Sequence, residues 1–169
     1  MTMHLYLLRH GIAVDLVARR FAEDADRPLA PEGERKLWQV AEAMEALDLS
    51  FDLILSSPYV RARQTAEIIA EALKARKKLE FSASLTPGGS TKKLIEYLHR
   101  LQPPPDNMLL VGHEPYLSGL ISLLVAGDTT SAVVMKKGGL CKLSMESLKH
   151  GRCAALEWLL TPRQMALMA

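Results

Sequence analysis

An α/β fold with a mostly parallel sheet and helices on both of its faces, a three-layer αβα sandwich, is predicted by three features of this 169-residue chain. Short apolar runs alternate with amphipathic stretches, the pattern of repeated βαβ units. Several of those runs are apolar throughout rather than at every second residue, as strands buried on both faces must be. The composition permits a large core: 49% of residues are hydrophobic and 24% charged, near the globular average and far from the polar, highly charged make-up of disordered chains. Residues 1–169 are read as one domain on length alone.

The first apolar run, Leu5 to Arg9, is a buried-type strand. Pro31 to Leu47 then carries Leu37, Val40, Ala41, Met44 and Leu47 at helical spacing, and Pro31 suits the first turn, where its missing N–H breaks no bond. Ala30 precedes it where Ser or Thr would cap better. Leu53 to Ser56 is the second strand, and Ser57 with Pro58 reads as N-cap and first residue of a helix reaching about Leu73. Thr91 to Leu101 reads as a helix stopped by Pro103, Pro104 and Pro105. Met108 to Gly112 is a third buried strand, followed by a helix from about Tyr116 to Val125. Ala132 to Lys136, Leu140 to Met145 and Cys153 to Leu159 are later strands, the last two an antiparallel edge. Ile12 to Leu29 lacks periodicity, and a long loop directly after a strand is where binding residues collect.

A net charge of +2, with the basic residues scattered, argues against nucleic acid or an anionic membrane as partner. The apolar runs are too short to cross a bilayer and no signal-peptide pattern opens the chain, so a cytoplasmic address is expected. Cys141 and Cys153 lack CxxC spacing and are read as a reduced, structural pair in facing strands. His4, His99 and His150 are read as solvated.

Three strand ends carry the chemistry. "LYLLRHGIAV" delivers Arg9, His10 and Gly11 past the first strand. In an open α/β sheet, ligands bind beyond the carboxyl ends of strands, and Gly11 allows a sharp turn and a close backbone approach to a ligand. "LILSSPYVRARQTAE" brings a helix N-terminus to the same edge, with its free N–H groups and dipole favouring an anion. Arg61 in that first turn can reach back over the end. Arg63 lies about 200° round the helix and is read as solvated, paired with Glu67 at i+4. "MLLVGHEPYLSG" repeats the device with His113 and Glu114. Two arginines and two histidines converging on helix N-termini describe a phosphate site. A two-histidine metal site finds only Asp15 and Glu114 as nearby carboxylates, and no metal or cofactor is expected.

The motifs "LRHG" at 8–11, "SSPYVRARQTA" at 56–66 and "VGHEP" at 111–115 resemble the three signatures of the histidine phosphatase, or phosphoglycerate-mutase-like, superfamily. The compact length, "RPLAPEGERK" and "LTPGGS" are most similar to the SixA-type phosphohistidine phosphatases. The resemblance implies His10 as nucleophile, Arg9 and Arg61 as phosphate clamps and His113 as a second imidazole on the transferred phosphoryl group. Gly11 and Glu114 fall within the same phosphate-binding motifs. The chemistry suits these residue types: a neutral imidazole, with a reference pKa of about 6.5, attacks phosphorus without prior deprotonation, and clamps stabilise the equatorial oxygens without a metal.

Two departures from the pattern bear on the proton donor. No insertion follows the second helix to carry a carboxylate acid, and Ser90 stands where SixA-like relatives often have Asp. Asp15, Glu23 and Glu114 are the nearest candidates for a general acid, with Glu114 foremost; its structural alternative is a helix-start carboxylate balancing local positive charge. Three functions are therefore open. The leading one is dephosphorylation of phosphohistidine on a signalling or phosphotransfer protein. The second is hydrolysis of a small sugar or nucleotide phosphomonoester. The third, a non-catalytic phosphate-binding module, is disfavoured by the presence of His10.

Overall fold

The protein is described here by a computed structural model covering residues 2–15 and 23–169. Six strands, β1 (Met3–Arg9), β2 (Leu53–Ser56), β3 (Leu79–Phe81), β4 (Asn107–Gly112), β5 (Leu140–Met145) and β6 (Ala154–Leu160), form one sheet in the order β3-β2-β4-β1-β5-β6. β3, β2, β4 and β1 run parallel, whereas β5 and β6 are antiparallel to their neighbours. The sheet is mostly parallel, with the expected antiparallel edge.

The run-together apolar strands do what their pattern predicts. In β1, Leu5 and Leu7 enter one core cluster while Tyr6 and Leu8 enter the other. β4 splits likewise, Met108 and Leu110 against Leu109 and Val111. One face packs against α3 (Thr91–His99) and α4 (Tyr116–Ala126) through Leu94, Leu98, Leu117 and Ile121. The opposite face packs against α1 (Pro31–Ala46), α2 (Val60–Ala72) and the short α5 (Pro162–Ala166) through Val40, Met44, Ala62, Ile69 and Met165. Helices thus cover both faces in three layers. α1 buries Leu37, Val40, Ala41 and Met44, the stripe its spacing predicts, and Pro31 follows Ala30, which supplies no side-chain cap.

Several expectations need correction. Ala132 to Lys136 is not a strand: it passes the end of β1, whose two sides are already taken by β4 and β5, and runs there as an irregular loop. Val134 in it is 69% exposed. α2 begins at Val60 with Tyr59 before it, so Ser57 and Pro58 precede the helix rather than open it. α3 stops at His99, short of Leu101. β3 went unrecognised because three residues at a sheet edge, two of them exposed, carry no periodicity. α5 has a Thr161–Gln164 capping box that signals a start in a segment too short for a hydrophobic period. Cys141 faces Leu159 across the β5–β6 ladder; both cysteines are free, and burial raises the Cys141 thiol to about 12. His4 is half-buried, with Nδ1 3.2 Å from Asn107 Oδ1, whereas His99 and His150 are exposed as expected. The loop expected over 12–29 is described for 12–15 and 23–29; its middle lies outside the described residues.

Leu7 is completely buried in β1. Leu7→Ala is expected to cost about 3 kcal/mol of unfolding free energy, through lost transfer energy and a residual cavity. Val134→Ala is expected to cost less than about 0.5 kcal/mol, since it alters an exposed loop side chain. Urea unfolding of the two variants beside the parent measures both.

Candidate active site

The strand register brings the motif residues together. Arg9 pairs with Gly112 and Ser56 with Val111, so β2, β4 and β1 end side by side and release Ser57, His113 and His10 next to one another. His10 N donates to Gly112 O at 3.0 Å and Ser57 N to Val111 O at 3.0 Å, which extends the ladders one step beyond the strands. The His10 and His113 ring centroids lie 5.2 Å apart.

His10 presents a defined face. Its Nδ1 lies 2.7 Å from Gly11 O, a carbonyl that can only accept, so the ring hydrogen sits on Nδ1 and Nε2 carries the lone pair. Arg61 Nε donates toward that Nε2 at 3.3 Å. Burial pushes His10 down to about 3; the Gly11 bond acts against this, while the charges of Arg61, His113 and Arg9 add to it. His113 falls to about 4, again through burial first and the Arg61 charge second. Both imidazoles are neutral at neutral pH, and an imidazole with an unprotonated Nε2 can act as a nucleophile.

His113 Nε2 is 2.8 Å from Ser57 Oγ, which also accepts the Tyr59 N–H at 3.2 Å. When the Ser57 hydroxyl donates to Nε2, the His113 ring hydrogen sits on Nδ1, a buried atom without a partner. A neutral N–H donor of this kind can meet a phosphoryl oxygen. The Tyr59 ring stands edge-on to His113 at 5.2 Å, and the Arg61 guanidinium lies over it at 5.4 Å.

Arg9 donates from Nη1 to Met135 O at 2.8 Å, and its buried Nε has no partner. The loop carrying Met135 is pinned further by Gly138 N, which donates to the carbonyls of Arg9 and His10. Gly138 has φ +79°, a dihedral that favours glycine. Gly11 has a different reason for being glycine than a sharp turn or a ligand's approach. A Cβ there would come within 2.7 Å of Leu37 Cδ1, and its N–H is spent on Thr65 Oγ1 at 3.1 Å. Thr65 Oγ1 in turn donates to Arg61 O at 2.7 Å, tying α2 to the segment after β1.

Arg61 is 4% exposed and Arg63 pairs with Glu67 at 2.8 Å on the solvent side, as the helical geometry predicts. Glu114 is engaged: its two carboxylate oxygens accept from Ser118 N and Ser118 Oγ in the first turn of α4. Asp15 and Glu23 are exposed. Asp24 also reaches the cluster, bound to both Arg61 and Arg27 at 2.9 Å, and the charge of Glu114 acts on Arg9. Asp24, Arg27, Ser57, Tyr59 and Thr65 were not picked out as site residues from sequence. Ser57, Tyr59 and Thr65 lie within the "SSPYVRARQT" motif and could have been; Asp24 and Arg27 sit in a stretch without periodicity and carried no signal.

The sequence profile of the histidine phosphatase superfamily (branch 1) matches residues 5–86. A relative from Picosynechococcus sp., itself uncharacterized, is 41% identical over 142 residues, 83% of this chain and 84% of that one. The chain belongs to the histidine phosphatase superfamily and is a phosphatase. Within it the chain is of the SixA type. The phosphohistidine phosphatase SixA of Escherichia coli (strain K12) is 29% identical over 128 residues, 75% of this chain and 77% of that one. The solved structure of the protein histidine phosphatase SixA complexed with tungstate matches 95% of this chain and 98% of that chain, with TM-score 0.79 and 25% identity.

The depressed histidines have a measurable consequence. Below about pH 6.5 the unfolded chain protonates both rings while the folded protein leaves them neutral. The unfolded state then binds more protons, so stability falls as pH drops from about 6.5 toward 4, by up to about 1.4 kcal/mol per pH unit per histidine. Denaturant unfolding between pH 7.5 and pH 5 is expected to show this slope, and His10→Gln is expected to remove about one proton's share of it.

Proposed function

We propose that this phosphatase removes phosphate from phosphohistidine on a signalling or phosphotransfer protein, through a covalent intermediate on His10, in the cytoplasm and without a metal. The observation that carries the mechanism is the state of His10: a neutral ring, its hydrogen held on Nδ1 by Gly11 O, with the Nε2 lone pair directed at Arg61. In the first step Nε2 forms a bond to phosphorus as the bond from phosphorus to the substrate's leaving nitrogen breaks, and the leaving imidazole departs as a neutral ring carrying a proton. In the second step water attacks the phosphorus of phospho-His10, its proton passes to solvent, and Nε2 regains its lone pair as inorganic phosphate leaves. Arg9, Arg61 and the His113 Nδ1–H are the donors for the equatorial oxygens, where charge accumulates.

The choice of substrate rests on the carboxylates. An alkyl ester expels an alkoxide that needs a proton in the transition state, whereas a protonated phosphohistidine expels a neutral imidazole. Glu114 is held by Ser118, and Asp24 is held by Arg61 and Arg27. A site in which Glu114 accepts from Ser118 and arginines keep Asp24 ionised suits the leaving group that needs no dedicated acid. The similarity to SixA, a phosphohistidine phosphatase, supports the same reading.

Rapidly quenched reactions are expected to contain a phosphoenzyme that is labile in acid and stable in base, absent in His10→Ala; normal turnover by His10→Ala would refute the mechanism. On a phosphohistidine-bearing protein kcat/KM is expected to exceed that on alkyl phosphomonoesters more than about tenfold, with aryl phosphates between, and Glu114→Gln is expected to leave the phosphohistidine reaction nearly unchanged. Faster turnover of a sugar phosphate would instead favour a small-molecule phosphomonoesterase. Arg61→Ala is expected to lose about 3 kcal/mol of transition-state stabilisation and Arg63→Ala far less, with both activities measured in the presence of a strong chelator. Loss of turnover in the chelator, restored by a divalent cation, would replace the metal-free mechanism.

A further inference from the structure

Every nitrogen of the buried Arg61 guanidinium is in use. Nε donates to His10 Nε2 at 3.3 Å, Nη1 to the Asp24 carbonyl at 2.8 Å and Nη2 to Asp24 Oδ2 at 2.9 Å. Nε–H and Nη2–H form one fork of the guanidinium, the geometry that receives two oxygens of a phosphoryl group side by side. A phosphoryl group bonded to His10 Nε2 removes the lone pair that Nε now faces and turns its own oxygens to that fork. One prong of the fork is already filled by a carboxylate oxygen.

The two anions cannot share the fork without cost. A carboxylate and a phosphoryl dianion on one guanidinium are like charges within a few ångströms, where each disfavours the other's ionised form. Of the groups present, Asp24 is the one free to yield. Its side chain is 48% exposed, against 5% for Arg61, and it stands in a single 3-10 turn rather than in the sheet or a long helix. Its other oxygen accepts from Arg27 Nε at 2.9 Å, and Arg27 is itself tied to Val14 O at 3.2 Å. Asp24 thus has a second cation to rest on when it leaves the first. Burial acts to raise the Asp24 carboxyl, but Arg61 and Arg27 together outweigh this and hold it below the usual carboxylate range, so it is an anion when it occupies the site.

We propose that Asp24 is an internal stand-in for the phosphoryl group. It fills and orients the Arg61 fork while the site is empty, is displaced as substrate binds, and by returning to the fork expels inorganic phosphate at the end of the cycle. Asp24 therefore sets how tightly the enzyme holds its product, and discriminates against weakly charged ligands that cannot displace it. This rests on the reading of His10 and Arg61 as the phosphoryl site.

The test is calorimetric titration of inorganic phosphate into the parent protein, Asp24→Asn, Asp24→Ala and Arg61→Ala, with melting temperatures recorded alongside. Removing the competing anion is expected to tighten phosphate binding roughly fivefold or more in both Asp24 variants, a gain that a merely structural residue would not produce. Product inhibition by phosphate is expected to strengthen in parallel. If phosphate binding depends on Arg61 but is unchanged or weakened in the Asp24 variants, Asp24 only orients the guanidinium and the inference fails while the phosphoryl site stands. If phosphate binding is indifferent to Arg61→Ala, the phosphoryl site and the inference fail together.

Discussion

Arg61 is a permanent cation enclosed at the end of the sheet, and the arrangement around it follows from having to satisfy that charge. A buried guanidinium without partners would cost several kcal/mol. The protein meets its hydrogens with one uncharged imidazole nitrogen, one backbone carbonyl and one carboxylate oxygen. Burial disfavours the imidazolium form of both histidines, and the charge of this cation adds to that effect. One residue thus reinforces the neutral state that burial gives its neighbours and bonds directly to one of them. The helix that bears it is braced against the first strand by Thr65, which bonds both to Gly11 N and to the Arg61 carbonyl.

Enclosure serves reactivity as well as charge balance. In water an imidazole near its ordinary pKa is partly protonated and its lone pair partly unavailable. Here desolvation supplies the neutral ring, and the low local dielectric strengthens each donor that faces a transferred oxygen. Arg9 ends β1, His113 follows β4 and Arg61 lies in the first turn of the helix after β2, so the common register of three neighbouring parallel strands sets where these donors start. A loop-built site would have to hold the same distances against its own flexibility.

How much of this was legible in the sequence depended on whether a signal was local. The unbroken apolar runs of β1, β2 and β4 carried the buried strands, because side chains at odd and even positions both meet a helical layer. Arg9, His10, Arg61 and His113 were legible because each follows a strand or opens a helix, and the cluster the structure forms from them is the one those positions imply. Asp24 and Arg27 were not, because Asp24 meets Arg61 of a distant helix, Arg27 meets Asp24 and the Val14 carbonyl, and the segment between them and β1 has no period. Ser57 was misread as a helix cap: a serine before a proline offers the same hydroxyl to a helix start or to an imidazole, and only the fold decides in favour of His113. Ala132 to Lys136 has strand composition but passes the end of β1, whose two sides are already paired, a fact of sheet order that no window of sequence contains.

β1 is paired along its length on both sides, to β4 and to β5, and both of its faces are covered. Its backbone amides therefore belong to the slowest-opening part of the molecule, the set whose hydrogen exchange proceeds through unfolding of the whole rather than through local fraying. His10 is the first residue past that strand and is still bonded to the neighbouring one. The proposed nucleophile is thus anchored where the native ensemble fluctuates least, and a mutation elsewhere in the core would lower the population of folded molecules before it blurred the position of this ring in those that remain.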